Sequence, residues 1–524
     1  MGMRRLLALL ATALVVVMLS ACGGDGGEPA DAAPGTAESE IDPNATLRYA
    51  GQVGIPDLDP HRARSEVLSF SYGLGMVYDR LFTVTADGKT EGMLVTDWEL
   101  SMDGTIMSMN LREDVTFRDG APVDAAAVKV NLDRARTLET PVVKAQMAAV
   151  QEVLVTGPYQ VQLQLSRPTP AMPYVLAMMS GYIMHPALIA NGDPRTEANG
   201  SGPYAVESFV PTKSLTLVRD GNYWDPEAAK LARIEYTTIG DPQAFLNALR
   251  GGQVDIGQMQ PGEASGLDTV PGINIVRVPH GIGVSLYLNY GREPLDDIRV
   301  RQAINYAYNR EAITGALLPG SVPAYQHYRE GLPGYDPELE KSYEYDPAEA
   351  RRLLTEAGYP GGIDLGEVMI SQALPSPIGD VMQEQLSEAG IRIQPVVVDS
   401  VAIFQQWASG QYSGQISFNG TGSEPGLGAV HRWKTPSSNP APTTPEFEEM
   451  LTAASDSRLT DTERIARYEE LNGYLVEQAW AAPISWLNFP WVMSDRVQGF
   501  SAENDYATTI GPYDFRYLSM TAED

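Results

Sequence analysis

Asn110-Leu111-Arg112-Glu113-Asp114-Val115-Thr116-Phe117-Arg118-Asp119-Gly120-Ala121-Pro122-Val123 is the stretch from which the rest of this chain is read. It starts where a strand ends: Thr105-Ile106-Met107-Ser108-Met109-Asn110-Leu111 alternates at period two, as a half-buried strand does. It closes on a turn, Asp119-Gly120 with Pro122, in which the glycine is free to take positive φ. Outward from it, Thr46–Ala50, Gln160–Leu165 and Ser214–Val218 alternate in the same way. Helices are interleaved with these strands and carry clear punctuation. Asp346-Pro347 opens one whose Ala350, Leu353, Leu354 and Ala357 share a face, and Gly358 closes it. Another starts near Asp296 or Asp297 and carries Val300, Ala303, Ile304 and Ala307 at helical spacing. A third runs from about Ile378 to Ala389, stops at Gly390 and leads into a strand from Ile391 to Val398. Mixed order of this kind predicts an α/β fold.

The amino terminus reads as an export signal. Arg4 and Arg5 precede an apolar run from Leu6 to Leu19, and Ser20 and Ala21 are small residues suited to cleavage. The run is too short to span a bilayer, which takes about 20 residues. Leu19-Ser20-Ala21-Cys22 resembles the bacterial lipobox, so 1–21 is expected to be a signal peptide and Cys22 a lipidated first residue. Cys22 is the only cysteine, and acylation accounts for a thiol with no partner in an exported protein. Residues 22–45 are rich in Gly, Ala, Pro and acids and lack apolar periodicity, so they read as a flexible linker. The expected location is the outer face of the cell membrane, held by the lipid. The remaining length, nearly 480 residues, calls for two or three domains. A net charge of -30 disfavours nucleic acid as a partner.

Enzyme signatures are missing from the sequence. The five histidines (His61, His185, His280, His327, His431) are scattered, without an H-E-x-x-H pair. No G-x-S-x-G elbow, P-loop, G-x-G-x-x-G or C-x-x-C occurs. No catalytic residue, metal ligand set or cofactor is assigned.

Several blocks carry a resemblance in order over most of the body. They are Leu58-Asp59-Pro60-His61, Val77-Tyr78-Asp79-Arg80-Leu81-Phe82, Leu94–Glu99, the opening stretch, Gly200-Ser201-Gly202-Pro203-Tyr204, Asn222-Tyr223-Trp224, Ala248–Asp255 and Pro294–Asn305. Together they resemble the large solute-binding proteins of ABC importers, the peptide, nickel and opine class or extracellular solute-binding family 5. The resemblance implies a periplasmic-binding-protein type II fold: two lobes closing about a hinge, with an extra domain in lobe I. It implies lobe I at 46–88, 173–286 and 491–524, the extra domain at 89–172, and lobe II at 287–490. Hinge crossings are expected near Tyr287–Tyr290 and Pro483–Pro490. The implied partners are a small solute or peptide ligand and the permease and ATPase subunits of an importer, served by a monomer. A binding protein for a non-peptide ligand (glycoside, opine or anionic metabolite), or a sensor not coupled to import, is the alternative. The shared blocks themselves read as structural, with Trp98 and Trp224 expected to fill core.

Ligand residues follow from the same resemblance. Peptide binders of the family hold the ligand's ammonium with an aspartate shortly after a Gly-Trp pair in lobe II. The matching stretch here is Gln411 to Pro425, where Asn419 falls near the tryptophan and Gly422 near the aspartate. Either Glu424 supplies the charge from a shifted position or the ligand lacks a free amino terminus, because an unpaired buried ammonium costs several kcal/mol. Arg64 and Ser65 follow the first strand, where relatives contact ligand; a guanidinium there could hold a carboxylate or phosphate. Tyr182 and His185 lie where relatives place a cleft-lining loop. Trp407, Phe418, His431 and Trp433 are candidates for apolar or stacking walls in lobe II, with core packing the competing role for Trp407.

Overall fold

The structure, a computed structural model, describes residues 41–62, 68–85, 89–399, 402–420, 424–435, 437–500 and 515–522. The expected signal 1–21, Cys22, most of the expected linker, Arg64, Ser65 and Gly422 lie outside the described residues.

The period-two segments are strands, Thr46–Gly51, Ile106–Leu111, Gln160–Leu165 and Ser214–Arg219. Along Ile106–Leu111 the burial alternates with the pattern, placing Met107, Met109 and Leu111 inward. The helices begin where their caps place them. Asp346 accepts from the amides of Ala348 and Glu349 ahead of Pro347–Glu356, and Asp297 accepts from Arg299 N ahead of Ile298–Tyr306. Gly358 and Gly390 follow the helices Pro347–Glu356 and Ile378–Glu388 with φ of 96° and 86°, which only glycine adopts without strain. In the opening stretch Gly120 sits at φ 85°, Phe117 N donates to Ala121 O at 2.8 Å, and Thr116 bridges to Pro122.

Among the described residues most strands join one eleven-stranded sheet. Its order is Ile391–Val398, Ile363–Ser371, Gly414–Gly420, Ile273–Leu288, Ala481–Ser494, Ile256–Gln258, Thr46–Gly51, Arg233–Thr238, Ser214–Arg219 and Tyr204–Val210, with Val322–Pro323 beside Ala481–Ser494. Two strands, Ile273–Leu288 and Ala481–Ser494, are far longer than the rest and pair antiparallel along their length. Each passes from one hydrophobic core into another. Val278, Trp491 and Met493 belong to a core with Leu47, Leu217 and Ile234. Val284, Leu286, Ala482 and Ile484 belong to a second core with Val300, Leu353, Val368 and Met382. The pairing register shifts between Pro279 and Gly283, where the first strand changes core. This is an α/β molecule of two lobes threaded by two continuous strands.

A separate four-stranded antiparallel sheet, ordered Val95–Leu100, Ile106–Leu111, Gln160–Leu165 and Val150–Gly157, lies under the helix Ala125–Thr137. Its Met107, Val153 and Leu163 share the first core with Val128 and Leu132 of that helix.

The blocks shared with the solute-binding class meet at Asp79. Its fully buried carboxylate accepts from Ser201 Oγ (3.0 Å), Tyr223 Oη (2.8 Å), Trp224 Nε1 (3.0 Å) and Arg516 Nη1 (3.2 Å). Residues far apart in sequence are thereby tied to the carboxy-terminal segment. Trp224 is partly buried with Arg112 over its ring at 4.0 Å, so it closes this network while packing on the core. Trp98 does not fill core: it stays 37% exposed and meets Phe82 edge-on, because its strand faces solvent on that side. Ile41–Ala45, inside the span read as linker, is held by the fold, since Ile41 bridges to Thr521 and Asp42 N donates to Met520 O at 2.8 Å.

Candidate functional site

The lobes touch away from the two long strands. Leu427, on the short helix Pro425–Ala429 of the second lobe, packs against the core of the first. Ser457 Oγ donates to Met102 O at 3.0 Å, joining the loop after the helix Pro445–Ala454 to a turn of the four-stranded sheet. Beside the long strands, a cavity of about 400 Å³ is lined by Ser265, Asp268, Arg277, Gly320, Asn488 and Pro490. None of the ligand residues expected from the sequence lines that cavity, and its Arg277 is already paired with Asp268 at 2.7 Å.

In the first lobe Tyr182 is 1% exposed, edge-on to Tyr78, with the Arg80 guanidinium 5.5 Å from its ring centre. Its carbonyl accepts from His61 Nε2 at 3.2 Å. Burial, with Arg134 nearby, pushes His61 down to about 4, so the ring is neutral. His185 has a structural place as well. Its Nδ1 accepts from Ala187 N at 3.0 Å to cap Pro186–Asn191, and its Nε2 lies 3.2 Å from Asp119 Oδ2 of the opening stretch. Phe117 meets its ring edge-on.

The second-lobe candidates fall largely on one continuous path, the strand Gly414–Gly420 followed by Pro425–Ala429 and a π-helical turn Val430–Lys434. Phe418 flanks the second core opposite Val284. Asn419 pairs through its backbone with Gly283, near the register shift. Glu424 caps Pro425–Ala429 by accepting from Leu427 N at 2.6 Å, and Tyr468 Oη donates to its other oxygen. Burial raises this carboxyl, and the Tyr468 and Leu427 donors pull it back. Its carboxylate is therefore committed within the lobe. Trp407 is 1% exposed, its Nε1 donating to Ser438 O at 3.0 Å, and Trp433 packs edge-on against Tyr287, His327 and Trp480 in the same core. Neither indole has surface to offer a ligand in this state. His431 is exposed. The residue between His431 and Trp433 was not singled out by sequence: Arg432 is buried, with its guanidinium 4.3 Å from the Tyr287 ring centre. Nothing in its local sequence separates it from a surface arginine; its isolation is a tertiary fact.

A sequence profile of the bacterial extracellular solute-binding proteins, family 5 (middle region), matches residues 89–440. The chain belongs to this family. The glutathione-binding protein GsiB of Salmonella paratyphi A is 30% identical over 357 residues, covering 66% of this chain and 67% of that protein. Among solved structures, NikA from Brucella suis in complex with Fe(III)-EDTA aligns at a TM-score of 0.77 and 23% identity, covering 91% of this chain and all of that one. DppA from Helicobacter pylori in complex with the peptide STSA aligns at 0.74 and 19% identity, covering 91% and 98%. Family 5 members are solute receptors of ABC importers, not enzymes, and they work outside the cytoplasm. The two-lobed architecture threaded by paired strands is the fold of these structures.

Proposed function

We propose that this family 5 protein is a lipid-anchored receptor that captures a peptide or peptide-sized solute between its lobes and delivers it to a membrane permease driven by an ATPase. The observation that carries the reading is the pair of long strands passing between two separate cores. Two continuous strands can bend where their pairing is broken while each core stays packed, which is the mechanics of hinge closure. We place the first hinge crossing at 279–283, ahead of the 287–290 expected from the sequence, because Val284 and Leu286 already pack in the second core, and the other at 487–490. Lobe I is then 46–88, 173–283 and 491–524, the extra domain 89–172, and lobe II 284–490. Leu427 and Ser457 would then be contacts of a closed state. Cys22 carries the acyl anchor in this reading, residues beyond it tether a monomeric body, and no cofactor takes part. Engagement of Glu424 in its own helix cap supports a ligand held without a buried ammonium–carboxylate pair at that position.

Small-angle scattering and calorimetry test this together. A solute bound one to one should reduce the radius of gyration, and at 100 times Kd it should stabilise the protein by about 2.7 kcal/mol. Saturation by a tightly bound solute without compaction would refute hinge closure.

A further inference from the structure

Among the described residues every buried arginine but one donates hydrogen bonds, although Arg80 leaves its Nε without a partner. Arg80 donates to Ala177 O at 3.0 Å and to Thr83. Arg301 donates to the carbonyls of Gln478, Leu295 and Asp296. Arg310 donates to those of Ala324, Pro483, Asn305 and Tyr343, and Arg516 pairs with Asp79. Arg432 is 9% exposed, its Nη1 is fully buried without a hydrogen-bond partner, and among the described residues no carboxylate lies within ion-pair distance. Its guanidinium rests on the Tyr287 ring. Its charge helps hold down His327 and His431, neither of which is an anion.

Two side chains on the same sheet face, Gln415 and Ser417, also hold unpartnered polar atoms. Tyr287 stands opposite Gln415 in the strand ladder, and Ser285 opposite Ser417, so these side chains share the face on which Arg432 lies. Gln415 is 0% exposed with both amide atoms unpartnered, and Ser417 is 2% exposed with its hydroxyl unpartnered. A buried cation, an amide and a hydroxyl left unsatisfied together each weaken the fold. A negatively charged group rich in acceptors satisfies the guanidinium, the amide N–H of Gln415 and the hydroxyl, and leaves the Gln415 Oε1 for a donor of the same solute. A carboxylate fits: its two oxygens match the guanidinium fork and leave lone pairs for an amide N–H and a hydroxyl.

The place is right for a captured solute. Arg432 sits in the π-helical turn, a distortion found often at functional sites, and Leu427 five residues earlier packs against the other lobe. Resting on the receptor reading above, we propose that Arg432, framed by Gln415 and Ser417, receives a carboxylate of the captured solute. The source of that carboxylate is either the end of a peptide or a non-peptide organic acid.

The test compares acids with neutral counterparts on protein stripped of ligand by unfolding and refolding. Reduced glutathione against its diethyl ester reports a peptide acid, and succinate against succinamide reports a simple organic acid. One acid is expected to bind the wild type at least about 30-fold more tightly than its neutral partner, the lower end of what a buried charge pair contributes. In Arg432→Met that ratio should fall to about one. The ligand-free variant should melt at or above the wild-type temperature, because an unpaired buried charge has been removed, whereas Arg310→Met should melt well below it. Acid preference that survives in Arg432→Met overturns the proposal. So does ligand-free destabilisation as large as that of Arg310→Met, which would make Arg432 a structural residue satisfied by internal water. If neither acid binds the wild type, the melting comparison decides alone. Binding without compaction would count against hinge closure and leave the role of Arg432 standing.

Discussion

Replacing Asp79 with alanine removes the carboxylate on which distant parts of the first lobe close. Four donors converge on it, from Ser201, Tyr223, Trp224 and Arg516, and the Arg516 side chain is only 2% exposed. The three neutral donors lose one acceptor each, but the dominant loss is electrostatic. Arg516 would remain buried without its carboxylate, and breaking such a pair costs about 3–5 kcal/mol. Against a total stability of about 5–15 kcal/mol, that is a large share. The measurement is urea unfolding followed by tryptophan fluorescence, run as a cycle with Arg516→Met and the double variant. Asp79→Ala should lose about 4 kcal/mol, and the double variant should lose less than the two single changes added together, since it no longer buries a lone charge. A loss below about 1 kcal/mol for Asp79→Ala, or additive behaviour in the cycle, would show that the shared blocks are not held together by this ion pair.

Three further outcomes are expected. Cys22→Ala should release the protein from the membrane fraction or leave its signal uncleaved, and normal processing with full retention would remove the lipid anchor from the account. Burial holds His61 and His327 at about 4 against an ordinary 6.5, so the unfolded chain binds more protons than the native one between those values. Stability should therefore be full above about pH 6.5 and fall as the pH drops towards 4, by about 3 kcal/mol for each histidine. A flat profile of unfolding free energy across that window would contradict their burial as neutral rings. Matched free and N-acetylated peptides should bind within about threefold of each other, because Glu424 is already bonded to Leu427 and Tyr468. A strong preference for the free amine that Glu424→Gln abolishes would reassign Glu424 as the ligand's anchor.

Local punctuation and periodicity carried the architecture. Asp297, Asp346, Gly358 and Gly390 bound helices through contacts within a few residues, which is why their roles were legible without neighbours in space. The ordered blocks from Leu58 to Asn305 placed the chain in its family because each encodes a turn or packing element that the fold reuses. Side-chain roles in the cleft were less legible. Trp433 read as a ligand wall, and Trp407 as either wall or core, and both lie in a core; Glu424, one of two readings of the ligand's anchor, caps its own helix. A tryptophan or a glutamate near the expected loop reads the same whether it faces solute or protein; only packing decides.

The sequence by itself determined the α/β class and the family, since these rest on local spacing and on the order of motifs along the chain. Only the tertiary structure decided that Asp79 gathers residues as distant as Ser201, Trp224 and Arg516, and that the buried Arg432 guanidinium, among the described residues, rests on a ring with its Nη1 unpartnered. Whether a charge is paired depends on what the folded chain brings within about 4 Å of it, and that distance is set by contacts between residues remote in sequence.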